Sequence, residues 1–566
     1  MTNSFSSQEE PFRGTPDAVP TLDELLTRLA PPWGERQSIY RYISQRMHAD
    51  ASGQIDRDEL LPDEELVRGD HQLSFAPGAL DGMLMHQEAL GFGSMGDEGG
   101  ESEPDKEPHE QQVLTALRQL LATVTDESAT GFYHLLLRHG SLAYIDPLMK
   151  AICQDADFLL EDIVAVGHWL ATEAADREAV KVGIALLSLS PAPAYREVFL
   201  TLGRHEEFSL YAAAALRHSE AEPDRLLWEL AKQLNGWGRV SLVEQLAGTT
   251  DPEIKRWMLL EGFANSVHND EIVLVCALTG DLHTALLDPN PTPELLESAG
   301  LILTELMWPN YNSTLIGQYP EAVETTCLYL RHLQTRELST RTLFIVDSIK
   351  DFLLREHGAA ADPALGWISH QEEFIGLINA IYARPEWPPV IREGLASDDA
   401  RVYDRVIRMA KIIGLDIWET CFARLQHDGS SWAGLQTSLN EDRLARLLAF
   451  AEEFLPIARY PSGQAEADSK VDEALRRLCE ILWRFSGQGE EFIQAGLRSQ
   501  ESITRLYASY VLASWLREEW SGWVAPALRS AIFHEDDEEQ KEMMQMVLDG
   551  KPLGKRFAGW QEWSGI

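Results

Sequence analysis

From Thr21 to the far end of the chain, apolar residues return every three or four positions, while sustained alternation bounded by turn pairs such as Asn-Gly is nearly absent. A helix repeats its face about every 3.6 residues and a strand every second residue, so this pattern predicts an all-α chain. The run Ile272–Val275 is the one β-branched stretch with strand character; with no partner nearby, it reads as a buried helix. At 566 residues the chain is too long for one core, because single cores stop growing at roughly 250–300 residues. Several domains or one elongated array of helix pairs remain.

Local signals divide the chain. Thr21 and Glu24 form a capping box ahead of Leu22, Leu25, Leu26 and Leu29, and Pro31-Pro32 stop that helix. A second helix is expected over about 35–47. Between Gly91 and Glu110 the composition changes to five glycines and, from Asp97 on, seven acids against the single Lys106. The expected organisation is therefore a small helical amino-terminal region over 1–94, an acidic linker over 95–110, and a helical array over 111–566.

Several helices of the array look alike. Asp251-Pro252-Glu253-Ile254-Lys255-Arg256-Trp257 places an Asp cap and a first-turn proline before an amphipathic run. Looser versions start at Glu206-Glu207-Phe208, Ser397-Asp398-Asp399 and Gln500-Glu501. Their first apolar residues, Phe208, Ile254, Val402 and Ile503, are separated by 46, 148 and 101 positions. Those are close to multiples of about 49, which predicts about eight or nine helix pairs. At these helices the chain resembles the HEAT-repeat family, whose second helix often begins Asp-Pro-x-Val-Arg. The resemblance covers about 111–548 and implies an irregular α-solenoid. Trp257 stands where a small residue is usual, and the segment Pro309–Pro320 interrupts the series.

Charge narrows the partners. With 48 Lys and Arg against 90 Asp and Glu, the formal charge is -42. Nucleic acid and anionic membrane surfaces need clustered cations, so neither is expected, and a basic protein partner fits the field. The first ten residues lack a basic start and apolar core, no window approaches a membrane span, and the five cysteines form no CxxC pair. These features predict a cytoplasmic protein with reduced, largely buried thiols, and the lack of targeting signals and long low-complexity tails leans bacterial.

The sharpest local motif is His48–Glu59, which resembles an EF-hand calcium loop. The resemblance gives Asp50, Ser52, Gln54, Asp56 and Glu59 as candidate ligands, with Gly53 at the turn and Ile55 as the apolar residue. His48 occupies the position where that family has Asp, and Pro62 shortens the exiting helix. Imidazole is a poor first ligand for a hard cation, so a polar helix–turn–helix connection is the expected reading and bound calcium the alternative. The pairs His109-Glu110, His205-Glu206 and His534-Glu535 resemble the metal-binding dipeptides of HEAT-type di-iron hydroxylases, but they are too few and too far apart to hold two irons. Gly91–Gly96 matches GxGxxG without the preceding strand, and the glycine-containing run Ser74–Gly82, leading to Met83, Met85 and His86, reads as a turn.

No cofactor and no catalytic residue is therefore expected. The combination resembles the large HEAT-like immunity proteins of bacterial polymorphic-toxin systems, which implies a non-catalytic acidic protein that neutralises a basic toxin domain. A scaffold or adaptor for an endogenous complex is the alternative, with a metal-dependent hydroxylase behind it.

Overall fold

The computed structural model describes residues 21–49, 61–63, 108–190, 193–267, 269–308, 315–429, 431–457, 469–515 and 517–551. Among them are 28 α-helices and no strand. The chain divides into two compact units, Met1–Arg336 with Ser348–Phe374, and Glu337–Asp347 with Ile375–Ile566.

The first unit opens with α1 (Leu22–Leu26) and α2 (Ile39–Ala49), continues with α3 (His109–Ala122), α4 (Asp126–Leu136) and α5 (Ile145–Gln154), and then forms the closely packed pair α6 (Leu160–Glu173) and α7 (Arg177–Leu187). After α8 (Arg196–Leu202) come α9 (Glu206–Ser219), α10 (Asp224–Gln233) and α11 (Gly236–Gln245). The expected caps are in place. Thr21 Oγ1 accepts from the Glu24 amide while Glu24 Oε2 accepts from the Thr21 amide, and Asp251 accepts from the Glu253 amide at 2.9 Å with Pro252 in the first turn. Ile272–Val275 enters a helix, Val273–Gly280, in which Val273 and Cys276 are buried. The second expected helix is shifted to Ile39–Ala49, and α3 starts at His109, inside the span read as linker.

Helices α6 and α7 are the tightest pair because two glycines let their backbones touch. A Cβ added at Gly183 would fall 2.5 Å from the Ala171 amide nitrogen, and one at Gly167 would fall 2.9 Å from that of Leu187. Val180, Val182, Ile184, Leu186 and Leu187 are fully buried on α7, each worth about 1.5–3 kcal/mol of transfer free energy.

At the start of α7 the core is ionic. Arg36 grips Asp176 with both terminal nitrogens, and the Tyr133 hydroxyl donates to the same carboxylate at 2.6 Å. The bond from Arg36 to Asp176 holds the Arg36 pKa up, and burial raises that of Tyr133. One residue on, Arg177 donates to Asp63 from Nε at 3.0 Å and Nη2 at 2.9 Å, and its amide adds a third bond at 2.8 Å. Glu207 on α9 meets both Arg177 at 3.3 Å and Lys181 at 2.6 Å, and Lys181 also meets Glu178 at 2.9 Å. Asp63, Arg177, Lys181 and Glu207 are at most 3 % exposed. Alternating signs make this burial tolerable, since each charge removed from water has an opposite partner within hydrogen-bond reach. Through Asp63, with Leu61 4 % exposed beside it, part of the amino-terminal region belongs to the core of the first unit.

Polar bonds between helices join residues at several sequence separations. The Trp237 amide donates to Glu206 at 31 residues' separation, Gly236 to Asn265 at 29, Arg446 to Glu419 at 27, Arg505 to Glu535 at 30 and Trp523 to Glu490 at 33. Separations of 42 to 47 occur from His283–Thr325 to Arg336–Pro289. No single period describes these separations, and Ile503, one of the four anchors of the expected period near 49, is 41 % exposed.

Replacing Asp63 with Ala removes one partner of a buried pair, which costs about 3 kcal/mol when the remaining charge is stranded. The unfolding transition of the first unit should move to lower denaturant by that amount in circular dichroism. A midpoint equal to wild type would show that Asp63 does not hold the amino-terminal region.

Candidate functional site

The calcium-loop candidates Asp50, Ser52, Gln54, Asp56 and Glu59 lie outside the described residues, as do Ser74–His86 and Gly91–Gly96. The three His-Glu pairs are described, and they do not converge. His205 caps α9, accepting from the Glu207 amide at 3.1 Å, while Glu206 accepts from the Trp237 amide at 2.7 Å. His109 packs edge-on against His139 and Tyr144, at 4.4 and 4.7 Å between ring centres, and burial pushes its pKa down. His534 donates from Nδ1 to the Ser530 carbonyl, and Glu535 turns inward to Arg505. Among the described residues no group of three or more His, Cys, Asp or Glu side chains is placed to hold a metal ion.

One cleft in the first unit grows out of the helix that carries the strongest repeat signal. The α-helix Pro252–Trp257 passes directly into a π-turn, Met258–Gly262, whose wider winding brings Leu259 and Leu260 to a cleft of about 360 Å³. Ala285 and Leu295 complete the apolar floor, and Lys255, Arg256, Asp281 and Asp288 form the rim. Asp281 holds a left-handed backbone at φ 59° while capping the short helix Leu282–Leu286, an uncommon conformation for a residue with a Cβ. Lys255 reaches Asp281 at 3.9 Å. Such a cleft suits one small amphipathic group, and its mixed charges favour no single sign of ligand.

In the second unit the run after residue 500 builds a different surface. Helix Val524–His534 is followed by helix Glu538–Asp549, whose first turn is capped by Asp537 accepting from the Gln540 amide at 3.0 Å. The turn between them is fastened by Glu535, which is 2 % exposed. Its Oε2 accepts from Arg505 Nη2 at 2.8 Å and Nε at 3.1 Å, and its Oε1 from the Ser502 hydroxyl at 2.8 Å and the Asp536 and Asp537 amides at 3.1 and 3.2 Å. Arg505 Nη1 donates to the carbonyls of Ser499 and Gln500, both at 2.8 Å. Burial alone would raise the Glu535 pKa, but these donors together hold it below the ordinary glutamate value.

Phe533 is 82 % exposed and Ile503 is 41 % exposed. Glu501, Asp536, Asp537, Glu538 and Glu539 are exposed as well. The acidic run 535–539 is solvated at four positions and buried at Glu535. Sequence reasoning missed Phe533, which stands two residues past Ala531, on the side of the helix away from the buried stripe Val524, Ala527, Leu528 and Ala531.

Many of the described cations are paired within the chain. Arg196 meets Glu220, Arg217 meets Asp224, Arg225 meets Asp251 and Arg443 meets Asp416, at 2.7 to 2.8 Å. Others lie over rings, Arg355 3.5 Å from Trp308 and Lys232 4.0 Å from Trp228. Trp367, Trp387, Trp418, Trp432 and Trp515 are at most 4 % exposed, so these tryptophans pack the helices and offer no exposed anchor. Three of the five cysteines, Cys276, Cys421 and Cys479, are buried, and burial raises the pKa of each; Cys153 is exposed.

Comparison with protein-family models returns no match, and neither does comparison with curated proteins. Among solved structures, one crystal structure of an engineered protein aligns over 79% of this chain and 99% of its own, at 18% identity and a TM-score of 0.25. A likeness that weak carries no argument about fold or function.

Glu535 gives a pH-dependent prediction. Its pKa is lowered by folding, so its contribution to stability is present above the unfolded glutamate value, about 4.3, and is lost as pH falls through the lower folded value. Glu535→Gln strands the buried Arg505 charge and should cost about 3 kcal/mol at neutral pH. Thermal melts of variant and wild type should converge in acid. A constant gap from neutral to strongly acidic pH would contradict the ionic role.

Proposed function

We propose that the chain is a non-catalytic acidic binding protein for a basic protein partner, acting in the cytoplasm as an immunity protein that neutralises a cognate bacterial toxin. The observation that carries the reading is a stoichiometry. With 90 acids against 48 bases, even complete one-to-one internal pairing leaves 42 carboxylates over. Unpaired carboxylates are too costly to bury, so the excess faces solvent and gives the surface a strongly negative field. Such a field speeds the encounter with a cationic partner and repels polyanions. The absence among the described residues of any helix long and apolar enough to cross a membrane is compatible with this reading. Exposed apolar side chains such as Phe533 would supply the short-range contacts that slow release.

Affinity capture from the native host, washed at low salt and then at about 1 M, where the screening length falls to about 3 Å, is the direct test. One basic protein should stay bound in stoichiometric amount through the second wash. Expressed alone it should arrest growth, and co-expression of this chain should restore it. A retained but harmless complex would replace the toxin reading with that of a scaffold, and retention of no basic protein would end the proposal.

A further inference from the structure

We propose that the cleft beside the π-turn Met258–Gly262 is a binding site for a small zwitterion with an aliphatic side chain, an apolar α-amino acid such as leucine. The inference goes beyond the acidic-binder reading and does not rest on it. One cleft of about 360 Å³ brings together two cations, two carboxylates and an apolar floor, and the two signs come from different segments. Lys255 and Arg256 belong to the helix Pro252–Trp257, whereas Asp281 and Asp288 flank the short helix Leu282–Leu286. Lys255 Nζ stops 3.9 Å from Asp281 Oδ2, beyond the roughly 2.7–2.9 Å of a charge-assisted hydrogen bond. The two groups face each other without closing that bond.

This combination selects among ligands. An anion alone would meet two carboxylates, and a cation alone would meet Lys255 and Arg256. An uncharged apolar molecule would take water from all four charges and return no partner. A molecule with both signs gives each segment its counter-charge, while its side chain covers Leu260, Ala285 and Leu295. The volume is near the lower end for small-molecule sites, about 300–1,000 Å³. Close backbone approach holds the cleft in shape: a Cβ at Gly280 would fall 2.6 Å from Leu259 Cγ and 3.2 Å from the Lys255 carbonyl oxygen. The end of the helix Val273–Gly280 therefore lies directly against the π-turn, and single π-turns are frequent at functional sites. Asp281 follows with its left-handed backbone; its Oδ1 accepts from the Thr284 amide, and its Oδ2 is the atom nearest Lys255. Glycine would relieve that backbone and asparagine would cap the helix equally well, so the turn itself does not call for a charge.

The test is isothermal titration of the full chain with L-leucine and three relatives. Isocaproate lacks the ammonium group, isoamylamine lacks the carboxylate, and glycine lacks the side chain. At concentrations up to about 10 mM, leucine should give a saturable one-site heat, and the other three should bind at least tenfold more weakly, or about that. Asp281→Asn, which keeps the shape and the helix cap, should weaken leucine about tenfold without weakening isocaproate. Lys255→Gln with Arg256→Gln should weaken leucine and isocaproate without weakening isoamylamine. Lys411→Gln, at a cleft in the second unit, should change nothing. These positions are partly or fully exposed, and unliganded melting curves equal to that of wild type show that the fold is kept. Where a variant melts early, the ligand series on wild type still decides. No heat with leucine, or equal affinity for isocaproate or isoamylamine, would overturn the proposal. Leucine binding that survives the substitutions would put the site elsewhere and overturn it as well. None of these outcomes depends on capture of a basic protein, so the two readings fail separately.

Discussion

The chain has nearly two carboxylates for each cation, and that imbalance governs which charges can be buried. A buried carboxylate needs a cation or several donors, so interior positions fall to the few acids that can be paired. Asp176 takes Arg36, Asp63 takes Arg177, and Glu207 is shared between Arg177 and Lys181. Glu535 has Arg505 together with a hydroxyl and two backbone amides. These pairs join helix starts that are far apart in sequence. With the cations used in this way, the remaining acids have only solvent, or a basic partner, to face.

The same arrangement links packing to recognition. Glu535 and Asp536 are neighbours of the same charge, yet one is 2 % exposed and fastens a turn while the other lies on the surface. Phe533, two residues beyond Ala531, is on the side of its own helix away from the apolar stripe, so helical geometry leaves it in water. The cleft at the π-turn Met258–Gly262 has apolar floor and mixed rim charges, so it lacks the single-sign field that would couple it to a cationic partner.

Much of the helical organisation was legible in the sequence. The capping box at Thr21, the Asp251-Pro252 helix start and the helical reading of Ile272–Val275 depend on residues within one or two turns of each other. Which helices meet was not legible, because it depends on residues far apart in the chain. Glu206 with Trp237 and Glu490 with Trp523 carry no local mark of their partnership. The His-Glu pairs show the same limit from the other side: as sequence they resemble metal ligands, and in the fold His205 is a helix cap and Glu535 an arginine partner.

By itself the sequence determined that the chain is helical, where many of the helices begin, and that dozens of carboxylates must remain without an internal cation. The first two follow from short-range periodicity and capping, the third from counting. Only the tertiary structure decided that Asp63 is buried against Arg177, that Glu535 points inward while Asp536 does not, and that Phe533 is left in water. Those outcomes depend on contacts between residues about 30 to 114 positions apart, which come together only when the helices pack.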